Sequence, residues 1–253
     1  MNEVIFRGVF MNRWLKHLVL MMCLLTSCAV ARAASLRLMT EDYPPFNMYD
    51  GSGKVVVGMS TDVVREMLRR AGMSYTIELQ PWIRSFNTAV LDNNTCVFST
   101  TRTDAREHQF KWVGPVVENP WVLYAGPSSP SHIATLEDAR RYTIGGYSGD
   151  AVAQFLIARG FNVELTPTDD LNARKLAAGH IDFWATGKFL GDALVHRENL
   201  PKLKPVLVFN TALMYLACNP RMPDSTINQL NALLVRMHQD GFFARVTRHY
   251  LSN

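Results

Sequence analysis

The sequence predicts an α/β protein of two lobes, each a sheet flanked by helices, joined by a two-strand hinge. Three observations carry this prediction. Strand-like and helix-like stretches alternate along almost the whole chain beyond residue 35, as in doubly wound sheets. Two such series follow one another. The first covers 36–120 and is completed by the helical tail 217–253; the second covers 121–216, with crossings near Trp121 and Leu216. The polar loops fall just past strand ends, where sheets of this kind bind ligands.

In order, Ser35 to Thr40 alternates as a strand and runs into Glu41-Asp42-Tyr43-Pro44-Pro45-Phe46, where two prolines stiffen the loop. A helix follows from Thr61, read as its cap, with Val64, Met67, Leu68 and Ala71 on one face and Gly72 as its stop. Tyr75 to Leu79 is a strand. Pro81-Trp82-Ile83-Arg84 opens a helix, and Thr95 to Ser99 is a third strand. In the second series, strands are expected at 121–125, 142–146, 162–165 and 181–186. Helices are expected after Thr135, after Asp150, at 171–178 and at 188–196. Strands at 205–209 and 213–218 lead to two closing helices, whose stripe Ile227, Leu230, Leu234, Met237 marks a core face.

The most informative stretch is Ser99-Thr100-Thr101-Arg102-Thr103-Asp104-Ala105-Arg106. Hydroxyls at a strand end, followed by two guanidinium groups four residues apart, suit a carboxylate, which a planar guanidinium holds through two parallel bonds. The alternative is a solvated face, with surface pairs to Asp104 or Glu107. Ser148-Gly149-Asp150 before a helix offers free N–H groups to an anion, or is a plain tight turn. Trp82 is either an apolar or cation–π wall or a core aromatic at a helix start.

Arg13 and Lys16 precede an apolar run from Leu18 to Leu25, and Ala31-Arg32-Ala33 follows: 1–33 reads as a secretory signal peptide. Leu25-Thr26-Ser27-Cys28 also resembles a lipoprotein cleavage box. The first strand begins so close behind it that soluble export is the expectation, with a lipid on Cys28 the alternative. The chain carries +4; Arg7, Arg13, Lys16 and Arg32 against Glu3 supply three of these charges, leaving +1. A near-neutral remainder gives no footprint for nucleic acid. Cys96 and Cys218 each lie in an apolar strand-like run and are expected as two separate buried thiols, although export would permit pairing. No metal-ligand spacing is present, and no cofactor is expected.

Several short motifs resemble the bacterial extracellular solute-binding proteins of family 3, periplasmic receptors of polar amino-acid ABC importers. They are Tyr43-Pro44-Pro45-Phe46, Gly58 to Asp62, Ser99-x-Thr101-x-Thr103-x-x-Arg106, Gly114-Pro115, Gly149, Gly179-x-x-Asp182 and Asp240-Gly241. The resemblance covers roughly 36–251. It implies a type II periplasmic binding protein, a monomer that takes a small carboxylate-bearing ligand between its lobes and meets an inner-membrane ABC permease. It makes Ser99 and Thr101 ligand-carboxylate hydroxyls, Arg106 the carboxylate clamp and Tyr43 the covering aromatic. Asp150 falls where the family usually has Thr or Ser. The family's ammonium-pairing acid falls at Gly187, beside Thr186, so Asp150 or Glu41 takes the ammonium or the ligand is not a standard α-amino acid. Two other functions use the same elements: a periplasmic dehydratase-like enzyme with Asp150 and Glu41 as acid or base, and a ligand-binding module of a membrane sensor.

Overall fold

The computed structural model describes residues 35–130 and 132–251; the expected leader, with Cys23 and Cys28, lies outside them. Among the described residues the strands are β1 (Leu36–Thr40), β2 (Met48–Tyr49), β3 (Val56–Val57), β4 (Tyr75–Leu79), β5 (Thr95–Thr101), β6 (Lys111–Ala125), β7 (Ile144–Tyr147), β8 (Val163–Thr166), β9 (Phe183–Gly187) and β10 (Lys204–Cys218). The α-helices among the described residues are α1 (Met59–Ala71), α2 (Trp82–Leu91), α3 (Ala151–Ala158), α4 (Asp169–Ala177), α5 (Lys188–Arg197), α6 (Asp224–Gln239) and α7 (Phe242–Leu251). Short 3-10 helices cover Asp104–Gln109 and Leu136–Ala139.

Eight strands form one continuous sheet in the order β4-β1-β5-β10-β6-β9-β7-β8; β2 and β3 make a separate hairpin around the Asp50 turn. The sheet is mixed. β1 runs parallel to β4 and β5, and β7 parallel to β8 and β9, while β6 and β10 are antiparallel to each other and to their outer neighbours. Alternation alone predicts parallel pairing and two sheets. The difference lies in β6 and β10, 15 residues each: the sequence predicts only 121–125 of β6, and two separate strands, 205–209 and 213–218, in place of β10. They pair along nearly their whole length, with three register shifts, one beside Asn210 and one opposite the stretch around Pro115.

Helix α1 starts at Met59, two residues before the expected cap. Its first N–H groups are satisfied by Pro45 O and Phe46 O rather than by a Thr61 side chain. Gly58 permits this approach, because a Cβ there would lie 2.3 Å from Phe46 O. At its other end Gly72 is left-handed (φ 67°) and closes the helix as expected.

One large core fills the interface of α1, α6 and the β1–β5–β10 region and continues beneath α4 and α5; Val64, Leu68, Phe98, Leu216 and Leu234 are among its buried side chains. A second packs α3 against β6, β7 and β9. The two-thiol expectation is overturned: Cys96 and Cys218 form a disulfide between paired neighbours on β5 and β10, both wholly buried. Apolar strand runs place each cysteine in the core, but only sheet order makes β5 and β10 adjacent.

Candidate functional site

Beyond β5 the 3-10 helix at Asp104–Gln109 turns the chain so that Arg106 points inward, 4% exposed. A buried guanidinium must have its donors met. Nη1 donates to Thr101 O at 3.2 Å, and Nη2 to Gly149 O at 2.9 Å and Gln154 Oε1 at 3.4 Å. Its carbon lies 5.4 Å from the Trp82 ring centroid and 5.3 Å from that of Phe86. Arg102 differs. It is exposed, paired with Glu107 at 2.7 Å and laid over Trp112 and Tyr215. The solvated-face reading therefore fits Arg102 and fails for Arg106.

Gly149 lies between β7 and α3 in the left-handed region (φ 79°), and its carbonyl also accepts Trp82 Nε1 at 2.9 Å. Two donors from the β5–α2 end of the sheet thus meet one oxygen from the β7–α3 end. Asp150 caps α3, accepting from Ala151 N at 2.6 Å. Burial pushes its carboxyl upward, and the Arg106 charge and the helix N–H groups pull it down.

After β1, Tyr43 N and Asn47 O close the Tyr43-Pro44-Pro45-Phe46 turn at 2.7 Å. Tyr43 is buried, and its hydroxyl accepts Asn119 Nδ2 at 3.0 Å. Glu41 accepts the Tyr147 hydroxyl at 3.2 Å; burial first, then the Asp150 charge, raises its carboxyl well above the ordinary range. A cavity of about 350 Å³ opens here, lined by Glu41, Tyr43 and Gln80 from one end of the sheet and Tyr147, Asp169 and Leu190 from the other.

Asp169 is a functional candidate that sequence reasoning missed, the helix being expected only from residue 171. It is 7% exposed at the start of α4 and accepts Trp184 Nε1 at 2.7 Å, Thr186 Oγ1 at 2.7 Å and Asn172 Nδ2 at 3.1 Å. Burial pushes its carboxyl up to about 6 against these donors, with Asp150 adding repulsion. The available signal was its place: an acid at a helix start just past β8, on the sheet edge where Glu41 and Asp150 lie.

The expected site residues divide. Arg106, Trp82 and Asp150 gather around Gly149, while Glu41 and Tyr43 line the cavity. These groups feel one another's charge: Asp150 raises both Glu41 and Tyr43. Thr186 reaches the cavity only through Asp169. The Ser99 hydroxyl is committed to Asn47 Oδ1, and Thr101 meets Arg106 through its backbone carbonyl. At Gly187 a Cβ would lie 2.4 Å from Tyr43 Oη and 2.5 Å from Asn119 Oδ1. The tyrosine–asparagine pair thus occupies the space an acidic side chain would need.

Comparison with solved structures places the fold. A histidine kinase sensor domain with similarity to periplasmic binding proteins matches with TM-score 0.78 at 21% identity, over 86% of this chain and 96% of its own. A putative binding component of an ABC transporter from Wolinella succinogenes, complexed with lysine, matches with TM-score 0.74 at 20% identity, over 87% and 97%. An ancestral arginine-binding protein bound to arginine matches with TM-score 0.73 at 20% identity, over 86% and 98%. Such neighbours are type II periplasmic binding proteins, and this chain has their α/β fold. No curated protein matches the sequence. The model of the bacterial extracellular solute-binding proteins, family 3, matches residues 36–253, and the chain belongs to that family.

Proposed function

We propose that the protein is a periplasmic receptor that captures a small amino-acid-like ligand, carboxylate-bearing as in the family resemblance, and presents it to an ABC permease. In this reading 36–120 with 217–253 and 121–216 are lobes that close on the ligand, and β6 and β10 are the crossings that bend. The observation that carries it is the shared Gly149 carbonyl. Arg106 and Trp82 reach it from the other end of the sheet, beside a cavity of ligand size.

Arg106 has two tasks here: it braces the closed form through Gly149 and supplies positive charge beside Asp150. Binding, rather than turnover, accounts for the cluster. Tyr43 and Trp82 are walls, Glu41 and Asp150 are polar partners, and Ser99, Thr101 and Thr186 position the loops around them. A thermal-shift screen of the purified chain against amino acids, amines and dicarboxylates identifies the ligand class. Calorimetry on the strongest binder then compares wild type with Arg106→Ala. The expected result is lost binding in a variant that still folds; unchanged affinity rejects the clamp.

A second reading is a sensory module, favoured by the sensor-domain neighbour with TM-score 0.78. Both readings need the same closure. Stimulation of a reconstituted permease's ATP hydrolysis by the liganded protein separates them.

A further inference from the structure

We infer that two copies of the chain pair edge to edge along residues 206–213 of β10, so that the sheet of one continues into the other. The surface lies apart from the cavity, which no residue of this stretch lines, and the inference goes beyond the receptor reading. A monomer, as the family resemblance implies, would leave this edge bare.

Only part of β10 is interior to the sheet. From Met214 to Cys218 it has β5 on one side and β6 on the other, whereas 204–213 pair with β6 alone among the described residues. The free side is a row of backbone N–H and C=O groups that water or another strand must satisfy. The other edges are covered or charged. Only 121–125 of β6 pair with β9, so the outer side of its first half also lacks a strand. There Asn231 of α6 takes a strand's place: its Oδ1 accepts Gly114 N at 3.0 Å, and its Nδ2 donates to Trp112 O at 3.1 Å. β4 carries Glu78, paired with Arg37 at 3.3 Å, and β8 carries Glu164, paired with Lys175. Such charges discourage a further strand. The stretch 206–213, Val-Leu-Val-Phe-Asn-Thr-Ala-Leu, has none. Val208 is 57% exposed and Val206 43%, and Lys204 and Pro205 guard only the first end. Two register shifts against β6 bend this half of the strand but place no charge on it.

The occupant is a second copy for three reasons. An antiparallel strand related by a two-fold axis presents donors where this edge has acceptors, and satisfies both edges at once. An uncharged strand gives no charge pattern by which to select a foreign partner, yet it is compatible with itself. The two-fold sets Lys204 of each copy against the neutral far end of the other, so no like charges meet, and it brings β-branched and aromatic side chains side by side. Size sets the strength. Eight residues a side fall well short of the roughly 20–30 that a stable interface uses, so the pairing is weak and depends on concentration.

The test is sedimentation velocity on the purified chain from about 1 μM to 1 mM, the range of weak association. The expected result is a shift from monomer to dimer as concentration rises, with hydrogen exchange in 206–213 slowed only at the dimer-rich end. Val208→Lys, close to the middle of the stretch, brings two ammonium groups together and should raise the midpoint at least about tenfold. Val235→Lys, on α6 and equally exposed at 57%, should leave it unchanged. A monomer throughout the range overturns the inference. So does a dimer that Val208→Lys leaves intact, or one that Leu165→Lys on β8 dissolves, which would mean that copies meet along the opposite edge. Exchange in 206–213 that is equally slow at every concentration would mean that another segment, such as 1–34 of the same chain, covers the edge, and overturns it too. If Val208→Lys does not fold, the concentration dependence of exchange in the wild type still decides.

Discussion

The carbonyl oxygen of Gly149 accepts Nη2 of Arg106 at 2.9 Å, joining the turn before α3 to the 3-10 helix after β5. Trp82 donates to the same oxygen, so one backbone atom links the two ends of the sheet beside the cavity. Its position depends on a left-handed residue at 149.

Gly149→Ala should loosen this link. A Cβ there would come within 2.3 Å of Ile83 Cδ1, but Ile83 is half exposed and can swing aside. The backbone term therefore dominates, at about 1 kcal/mol for a non-glycine residue in this region. Calorimetric unfolding should show Tm lowered by roughly 2–4 °C. An unchanged Tm would mean that the turn relaxes freely and braces nothing.

The ligand-free protein should become more stable as pH falls from 7 to 5. Asp169 has its folded value raised to about 6 from 3.8, so the folded state binds a proton that the unfolded state does not. Asp150 and Glu41 are raised too and add in the same direction; the cations near them are Arg106 and Arg197. Carboxylates shifted the other way, such as Glu66 at about 2, lose their contribution only below their unfolded value of 4.5. Asp169 alone is worth about 1 kcal/mol over this interval. A Tm profile that is flat or rising toward pH 7 contradicts the assignment.

Thr186→Val keeps the side-chain shape at a fully buried position and removes the hydroxyl that donates to Asp169 at 2.7 Å. A hydrogen bond to a charged acceptor contributes roughly 1.5–3 kcal/mol, which is lost only while Asp169 is ionised. The variant should be clearly destabilised at pH 7.5 and much less so at pH 5. Equal losses at the two pH values would show that the carboxylate is not involved.

The Cys96–Cys218 disulfide closes 122 residues of sequence. Thiol titration in denaturant should find neither cysteine free before reduction. Replacing both with serine should cost about 2–5 kcal/mol, mainly through a freer unfolded chain, and be read as a lowered denaturation midpoint. A free thiol at Cys96 or Cys218 in the native, unreduced protein would refute the pairing.

Much of the fold was legible because its signals are local. Gly72 as a helix stop, Thr135 as a cap and the Ile227–Met237 stripe each depend on neighbours within a few residues. The hydroxyl-then-arginine pattern after β5 singled out the stretch, and the family resemblance singled out Arg106 within it; the pattern alone left both arginines open, and the structure buries Arg106 and exposes Arg102. The loop that carries Glu41 and Tyr43 was legible as a loop past a strand end, their roles being implied by the family resemblance, and the structure lines the cavity with both.

By itself the sequence determined the alternation of strands and helices, the polar loops at strand ends, and the short motifs that mark the family. Tertiary structure alone decided what depends on groups distant in the chain. β6 and β10 knit the halves into one mixed sheet, and that order brings Cys96 against Cys218. It also brings Asp169 beneath Thr186 and Trp184, and the Tyr43–Asn119 pair against Gly187. The physical reason is range: propensity and periodicity act over one or two turns, whereas a buried charge or a crowded Cα depends on side chains that only the sheet order makes neighbours.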